Sequence, residues 1–439
     1  MTILPNRFLL MPYFFITFLV IFGPNIPQLR GFGDISFLAS ICLFLYALTK
    51  GLKFKWEMIY IVFPLFPLFL FIALRSSFSV DVGIEYYLQL LLKPIRIMGI
   101  LLGTYCLVML VHKYDSRITL LHWVFYAISI HAFIMVLQLI SVEFKEFVYG
   151  YLNTGEYRST VEYQFRMGGL TGGSGGAVLS VIQSIGCILT PYVLSEKKSI
   201  LGKFFIYACS LLCFVSVISC GRSGLLAIFL FTPIALILMS TNTAKTLLNL
   251  LLAVILFIFL IIGLSVLINL LNYSGVLDSD LSLRVIRSFS RSMDSIFLIM
   301  STGEVQDSTI STLINHIIFP NSFQVLLFGD PVTLSEDQMN RTLNSDIGYI
   351  RNIWGFGIFG SLLYWSPLML MQLKLLLRVN SSNVRTAALI IGLVMIFFHA
   401  KELFFYVRML FPIYCILFFQ SHLTEKDFGL ENNSLRRYA

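Results

Sequence analysis

Arg222 lies in a five-residue turn, Ser219–Cys220–Gly221–Arg222–Ser223, between two apolar runs. A guanidinium held that close to an apolar boundary is costly unless it is paired or put to use. Other arginines share this setting. Arg284, Arg287 and Arg291 are spaced i, i+3, i+7, so a helix over 281–300 places all three on one face. Leu283, Ile286, Met293 and Phe297 mark a different, apolar stripe, and Asp278 and Asp280 favour a helix start just before it. Arg166 opens the stretch Met167–Gly176, which contains six glycines. The planar fork of arginine grips phosphate oxygens two at a time, which the point charge of lysine does not. Arg166, Arg222, Arg284, Arg287 and Arg291 are therefore candidates to bind a phosphate or pyrophosphate.

A second constellation is Asn344–Ser345–Asp346–Ile347–Gly348–Tyr349–Ile350–Arg351, at the mouth of an apolar run. A carboxylate facing an apolar cleft gains proton affinity, which makes Asp346 a candidate general base. Arg351, five residues on, is placed to pair with it or to orient a ligand. Each reading has a plainer alternative. The triple-arginine helix could rest among lipid headgroups, Arg222 could snorkel from a helix end, and Asp346 could cap a helix. The glycines after Arg166 could form an anion nest or serve close helix packing. Arg158, His316 and Arg341 are weaker candidates, as are His399 and Glu402. Asp330, in Phe328–Gly329–Asp330–Pro331, reads first as a turn residue.

The elements that must position these groups are membrane spans. The chain has 439 residues, 57% hydrophobic and 12% charged, with a mean hydropathy of +0.85. Soluble domains carry about 25% charged residues. The net charge of +8 contains no long basic run and does not point to nucleic acid. Twelve apolar runs are long enough for spans or nearly so: 8–23, 35–49, 57–74, 95–111, 118–140, 171–194, 200–219, 223–240, 246–270, 349–373, 386–399 and 402–420. The first follows Arg7 with no small-residue cleavage site after it, and reads as a retained span.

With the N-terminus inside, Lys50, Lys53, Lys55, Lys113, Lys197, Lys198, Lys203, Lys245, Lys374 and Lys426 fall on the cytoplasmic side. Most arginines fall outside, where topology does not ask for positive charge. The external segments are 75–94, read as an interfacial helix, the loop 141–170, the Arg222 turn, and 271–348, a loop too long to lack helices of its own. Three regions follow: 1–270 with spans one to nine, 271–348 as the external loop, and 349–439 with the last three spans and a cytoplasmic tail. The long loop sits between spans nine and ten and faces outward, which counts against a two-halved transporter. The seven cysteines read as small buried hydrophobes, and no spacing resembles a zinc site.

Taken in order, Arg166–xx–Gly169 before a span, Arg222–Ser223–Gly224, the long external loop, and Ser345–Asp346–xx–Tyr349–Ile350 followed by Gly357–Ile358–xx–Gly360 resemble the Wzy-type O-antigen and polysaccharide polymerases. The wider superfamily includes the O-antigen ligases, which show a His where this chain has Asp346. The resemblance implies an all-α polytopic membrane glycosyltransferase of the GT-C type in a bacterial inner membrane, with both termini cytoplasmic and the site facing the periplasm. It implies no metal and no nucleotide sugar. It also implies undecaprenyl-pyrophosphate-linked glycans as donor and acceptor, with a chain-length regulator and a flippase as partners. On that reading the five arginines hold pyrophosphate, Asp346 activates the acceptor hydroxyl, and Arg351 orients it. Ligation of glycan to lipid A core and flipping of lipid-linked oligosaccharide are the alternatives.

Overall fold

The computed structural model describes residues 10–27, 34–52, 54–78, 84–115, 118–152, 167–171, 176–239, 316–330, 347–377 and 382–422. Among them every named element is a helix, and the one β contact is an isolated bridge between Asn25 and Asp34. The helices are α1 Met11–Phe22, α2 Ile35–Thr49, α3 Trp56–Val62, α4 Leu65–Phe78, α5 Ile84–Tyr114, α6 Leu120–Ile140 and α7 Val142–Gly150. They continue with α8 Ala177–Ser195, α9 Ile200–Cys220, α10 Arg222–Met239, α11 Phe323–Phe328, α12 Gly348–Leu377, α13 Asn383–His399 and α14 Leu410–His422. Seven stretches are long and apolar enough to cross a membrane: Met58–Arg75, Leu90–Tyr114, Leu120–Ile140, Ala177–Ser195, Ile200–Cys220, Arg222–Met239 and Gly348–Leu377. The shorter apolar helices α1, α2, α13 and α14 coincide with four more of the expected runs. The remaining run, 246–270, lies outside the described residues.

The chain forms two compact units. One comprises Met1–Ile21, Ser36–Leu120 and Asp307–Ala439; the other comprises Phe22–Ile35 and Leu121–Gln306. In the first, α12 packs against α4, α11 and α13, and α14 packs against α5 and α13. Small residues set these approaches, as is usual where helices meet without water to drive them. A Cβ on Gly103 of α5 would stand 2.5 Å from the Ser40 carbonyl of α2. In the second unit α8 packs against both α9 and α10. Gly186 of α8 leaves room for Cys213 of α9, whose Sγ would lie 2.5 Å from a Cβ there.

Two expectations need correction, and a third is met with a break. The span expected over 349–373 is present as α12. Gly357, at φ 66° and ψ −178°, divides it into Gly348–Phe356 and a longer helix to Leu377. The segment 75–94 is not a separate interfacial helix. α4 runs through Arg75 to Phe78, and residues 84–94 are the first turns of α5, extended by the leucines around Gln89. The loop expected over 141–170 begins with α7. Ser141 caps it by accepting the Phe144 N–H at 3.1 Å, and Glu143 sits in the first turn where the helix dipole favours a carboxylate.

Candidate functional site

The Arg222 turn is a one-residue connection between two apolar helices. α9 ends at Cys220 and α10 begins at Arg222, so Gly221 alone links them. Ser180 of α8 fastens both sides of this link. Its Oγ donates to the Gly221 carbonyl at 2.5 Å and accepts the Gly224 N–H at 2.9 Å. Gly224 lies so close to α8 that a Cβ there would collide with the Ser180 carbonyl. Gly176, the N-cap of α8, is about 4.0 Å from where a Cβ on Gly221 would stand. Cys220 Sγ donates to the Met167 carbonyl at 3.2 Å. The residue after Arg166 and the residues before Arg222 therefore meet at one end of the α8–α10 cluster. Arg222 is half-buried there and begins a helix, whose dipole also favours an anion.

The turn Met167–Thr171 is held by polar side chains drawn from apolar helices. Gln138 of α6 clasps Gly169 twice: its Nε2 donates to the carbonyl at 3.0 Å and its Oε1 accepts the N–H at 2.9 Å. Tyr149 of α7 accepts the Gly168 N–H at 2.6 Å. His131 Nε2 accepts the Leu170 N–H at 3.1 Å. The other ring nitrogen of His131, Nδ1, lies 2.7 Å from the Gln183 side-chain amide. Ser216 holds the same amide at 3.3 Å, and Phe22 stacks on the imidazole with ring centroids 4.3 Å apart. Gly169 has φ 58°, and a Cβ there would collide with His131.

This arrangement corrects the anion-nest alternative for the part of the stretch that is described. The N–H groups of residues 168 to 171 are all engaged, that of Thr171 by the Gly168 carbonyl at 3.0 Å. The turn is scaffold, and the charged groups beside it are left to do any binding. Lys145 of α7 is one that sequence reading passed over. It is 3% exposed, and its Nζ lies 5.9 Å from the Tyr149 ring.

In the other unit, residues 318–330 of the long loop are locked to the break in α12. Gly329, at φ 76°, and Gly357 face each other so closely that a Cβ on Gly357 would collide with the Leu327 carbonyl. Asp330 N–H donates to the Trp354 carbonyl at 2.5 Å, and Trp354 Nε1 donates to the Ile318 carbonyl at 2.7 Å. Arg75 Nη1 donates to the Phe328 carbonyl. Gly360, the second glycine of the spaced pair, lets Phe71 approach to 2.9 Å of where its Cβ would be. Arg351 lies one turn before Trp354, half-buried, its N–H donating to the Ile347 carbonyl at 2.9 Å.

His399 sits beneath this mouth and is fully buried. Its Nδ1 accepts two backbone N–H groups, from Phe404 at 3.0 Å and Phe405 at 3.2 Å. Nδ1 therefore carries no hydrogen, and Nε2 meets the Asn352 side-chain amide 2.9 Å away. Tyr349 meets His399 edge-on and donates to the Ile396 carbonyl at 2.9 Å. With both ring nitrogens committed, His399 is a structural group. In the same connection, Tyr406 donates to the Tyr364 carbonyl at 2.6 Å.

Of the residues singled out in the sequence, Arg222, Arg351, His316, Asp330, His399 and Glu402 are described. His316 lies half-buried at the start of 316–330. Asp346, Arg158, Arg166, Arg284, Arg287, Arg291 and Arg341 lie outside the described residues. Sequence reading missed the polar set His131, Gln138 and Gln183. Their signal was present, because uncharged polar side chains within apolar spans are rare without a task. It did not single out Arg75, which is tied to the Phe328 carbonyl. No family model, no curated protein and no solved structure matches this chain.

Proposed function

We propose that this protein is a membrane glycosyltransferase that polymerises lipid-pyrophosphate-linked oligosaccharide repeat units into a surface polysaccharide on the external face of a bacterial inner membrane. In the full reading there are twelve spans in a GT-C-like arrangement, both termini are cytoplasmic, and a chain-length regulator and a flippase are partners. The observation that carries the proposal is the packing of the Arg222 turn against Met167 and Gly176. Two short arginine-bearing motifs, distant in sequence, are thereby held at one end of three apolar helices. That is where the pyrophosphate of a lipid carrier would lie.

The reaction follows from the groups available. A hydroxyl of the acceptor glycan attacks the anomeric carbon of the donor glycan. The bond from that carbon to the pyrophosphate oxygen breaks, and undecaprenyl pyrophosphate leaves with the electron pair. Asp346 takes the hydroxyl proton and Arg351 orients the acceptor. Arg166, Arg222, Arg284, Arg287 and Arg291 hold the pyrophosphates and stabilise the charge that grows on the leaving group. Fixed donors aimed at developing charge contribute about 10²–10³-fold each when removed singly.

The test is a product balance. Purified protein in lipid vesicles, given the parent cell's own lipid-linked repeat unit and EDTA but no nucleotide sugar, should release one undecaprenyl pyrophosphate per glycosidic bond formed. Folded protein that returns the substrate unchanged would refute polymerisation, and glycan transfer only after addition of lipid A core would mark a ligase.

A further inference from the structure

α1 and α2 lie side by side with a groove of about 540 Å³ between them. Tyr13, Ile16 and Leu19 of α1 form one wall, and Ala39, Cys42 and Tyr46 of α2 form the other. Each set follows one helix face. The packing explains why the two helices part. They meet at one end, where Ser36 Oγ donates to the Val20 carbonyl. Beyond that point α2 leans on α5 instead, and Cβ atoms on Gly99 and Gly103 of α5 would collide with Phe37 and with the Ser40 carbonyl. At the other end Tyr13 rests on Tyr114 of α5, with ring centroids 5.2 Å apart. A third helix thus holds the groove open.

The groove changes character along its length. Leu19 and Ala39, near the closed end, bring no polar side chain. The open end carries the phenols of Tyr13 and Tyr46. Lys50, one turn beyond Tyr46, is exposed and holds its Nζ 5.4 Å from the centre of the Tyr46 ring. An ammonium over a ring face keeps N–H donors for an anion. Tyrosines and a lysine at one end of apolar helices mark the level of lipid headgroups, and the lysine side is the cytoplasmic one on the positive-inside reading. The occupant must be thin. A partner helix about 10 Å across would need about 700 Å³ over the roughly 9 Å from Tyr13 to Leu19, which is more than the groove holds. A single hydrocarbon chain is far narrower, and the cation at the mouth selects a tail that ends in an anionic headgroup.

We infer that this groove binds an anionic phospholipid of the cytoplasmic leaflet, with one acyl chain between α1 and α2 and the headgroup at Lys50. The site goes beyond the polymerase reading and does not rest on it. In that reading the pyrophosphate substrates belong to the external face, so the phospholipid is a resident lipid and neither donor nor acceptor.

Cys42 reports occupancy, because it lines the groove and is exposed, whereas the other six cysteines are buried or half-buried. The full chain, stripped of lipid in detergent, is treated with N-ethylmaleimide. Cys42 modification is timed by peptide mass spectrometry in the presence of phosphatidylglycerol or phosphatidylcholine with the same acyl chains. Phosphatidylglycerol should protect Cys42 at about fivefold lower concentration than phosphatidylcholine, which is the worth of one lysine at an anionic headgroup. Lys50→Glu should abolish that preference, and Lys50→Arg, which keeps the charge, should retain it. Equal protection by the two lipids would mark an adventitious boundary lipid only and overturns the inference. So does the absence of protection by either lipid, or a preference that survives Lys50→Glu. Protection that rises with protein concentration in the absence of lipid would place a second copy of the chain in the groove, and also overturns it. No outcome depends on polymer being made, so the groove and the polymerase reading fail separately.

Discussion

Gln138 spends its whole side-chain amide on one residue, accepting the Gly169 N–H at 2.9 Å and donating to its carbonyl at 3.0 Å. A glutamine in the last turn of α6 thus substitutes for the strand or helix partner that the turn after Arg166 lacks. Gln138→Leu keeps the volume and orphans both buried groups. Each orphaned group costs about 1–3 kcal/mol, so thermal unfolding in detergent should show a clear loss of stability. Gln138→Glu keeps only the acceptor and should fall between wild type and Gln138→Leu.

Arg222 begins α10, and Ser180 and Cys220 supply bonds that hold the turn before it. Arg222→Lys keeps the charge and loses the bidentate fork. It should insert and unfold like wild type, yet bind undecaprenyl pyrophosphate about tenfold or more weakly, by roughly one charge-assisted hydrogen bond. Native mass spectrometry of the two proteins with the same lipid measures the ratio. Equal affinity would remove Arg222 from the clamp.

Gly357 adopts a backbone conformation that an L side chain enters at a cost of about 1–3 kcal/mol, and its Cβ would strike the Leu327 carbonyl. Gly357→Ala should therefore destabilise the protein and release the end of the long loop from α12. Proteolysis is the readout: cleavage within 316–330 should accelerate in the variant while the α8–α10 cluster keeps its wild-type resistance.

His399 tests the structural assignment of a residue that looks catalytic by type. His399→Phe preserves the stack on Phe405, whose ring lies 3.8 Å away, and orphans the Phe404 and Phe405 N–H groups. Stability should drop by about 2–5 kcal/mol, with turnover per folded molecule close to wild type. A variant as stable as wild type but inactive would make His399 a catalytic group.

The sequence already exposed Arg222, because one charge between two apolar runs is conspicuous whatever the fold. It exposed the glycines at 169, 224, 357 and 360 as a spaced pattern but not their reason. Each makes room for a residue remote in the chain: His131, Ser180, the Leu327 backbone and Phe71. Spacing along a chain does not carry such contacts. The helix α7 was readable from the Ser141 cap and was passed over because the run is short and mixed in character. The break at Gly357 was hidden because apolar residues continue on both sides of it. The pairing of Arg75 with the Phe328–Asp330 turn could not be read at all, since it depends on how the end of a long loop returns to α4.

The most direct measurement is a ladder assay in reconstituted vesicles, with wild type and Arg222→Lys side by side. Both receive the parent cell's lipid-linked repeat unit and EDTA without nucleotide sugar, and products are read by gel. Wild type should yield a ladder of repeat-unit spacing, and Arg222→Lys, equally folded, should yield about a hundredth of it or less. Full ladders from both proteins would contradict the arginine clamp, and no ladder from folded wild type would contradict the polymerase itself.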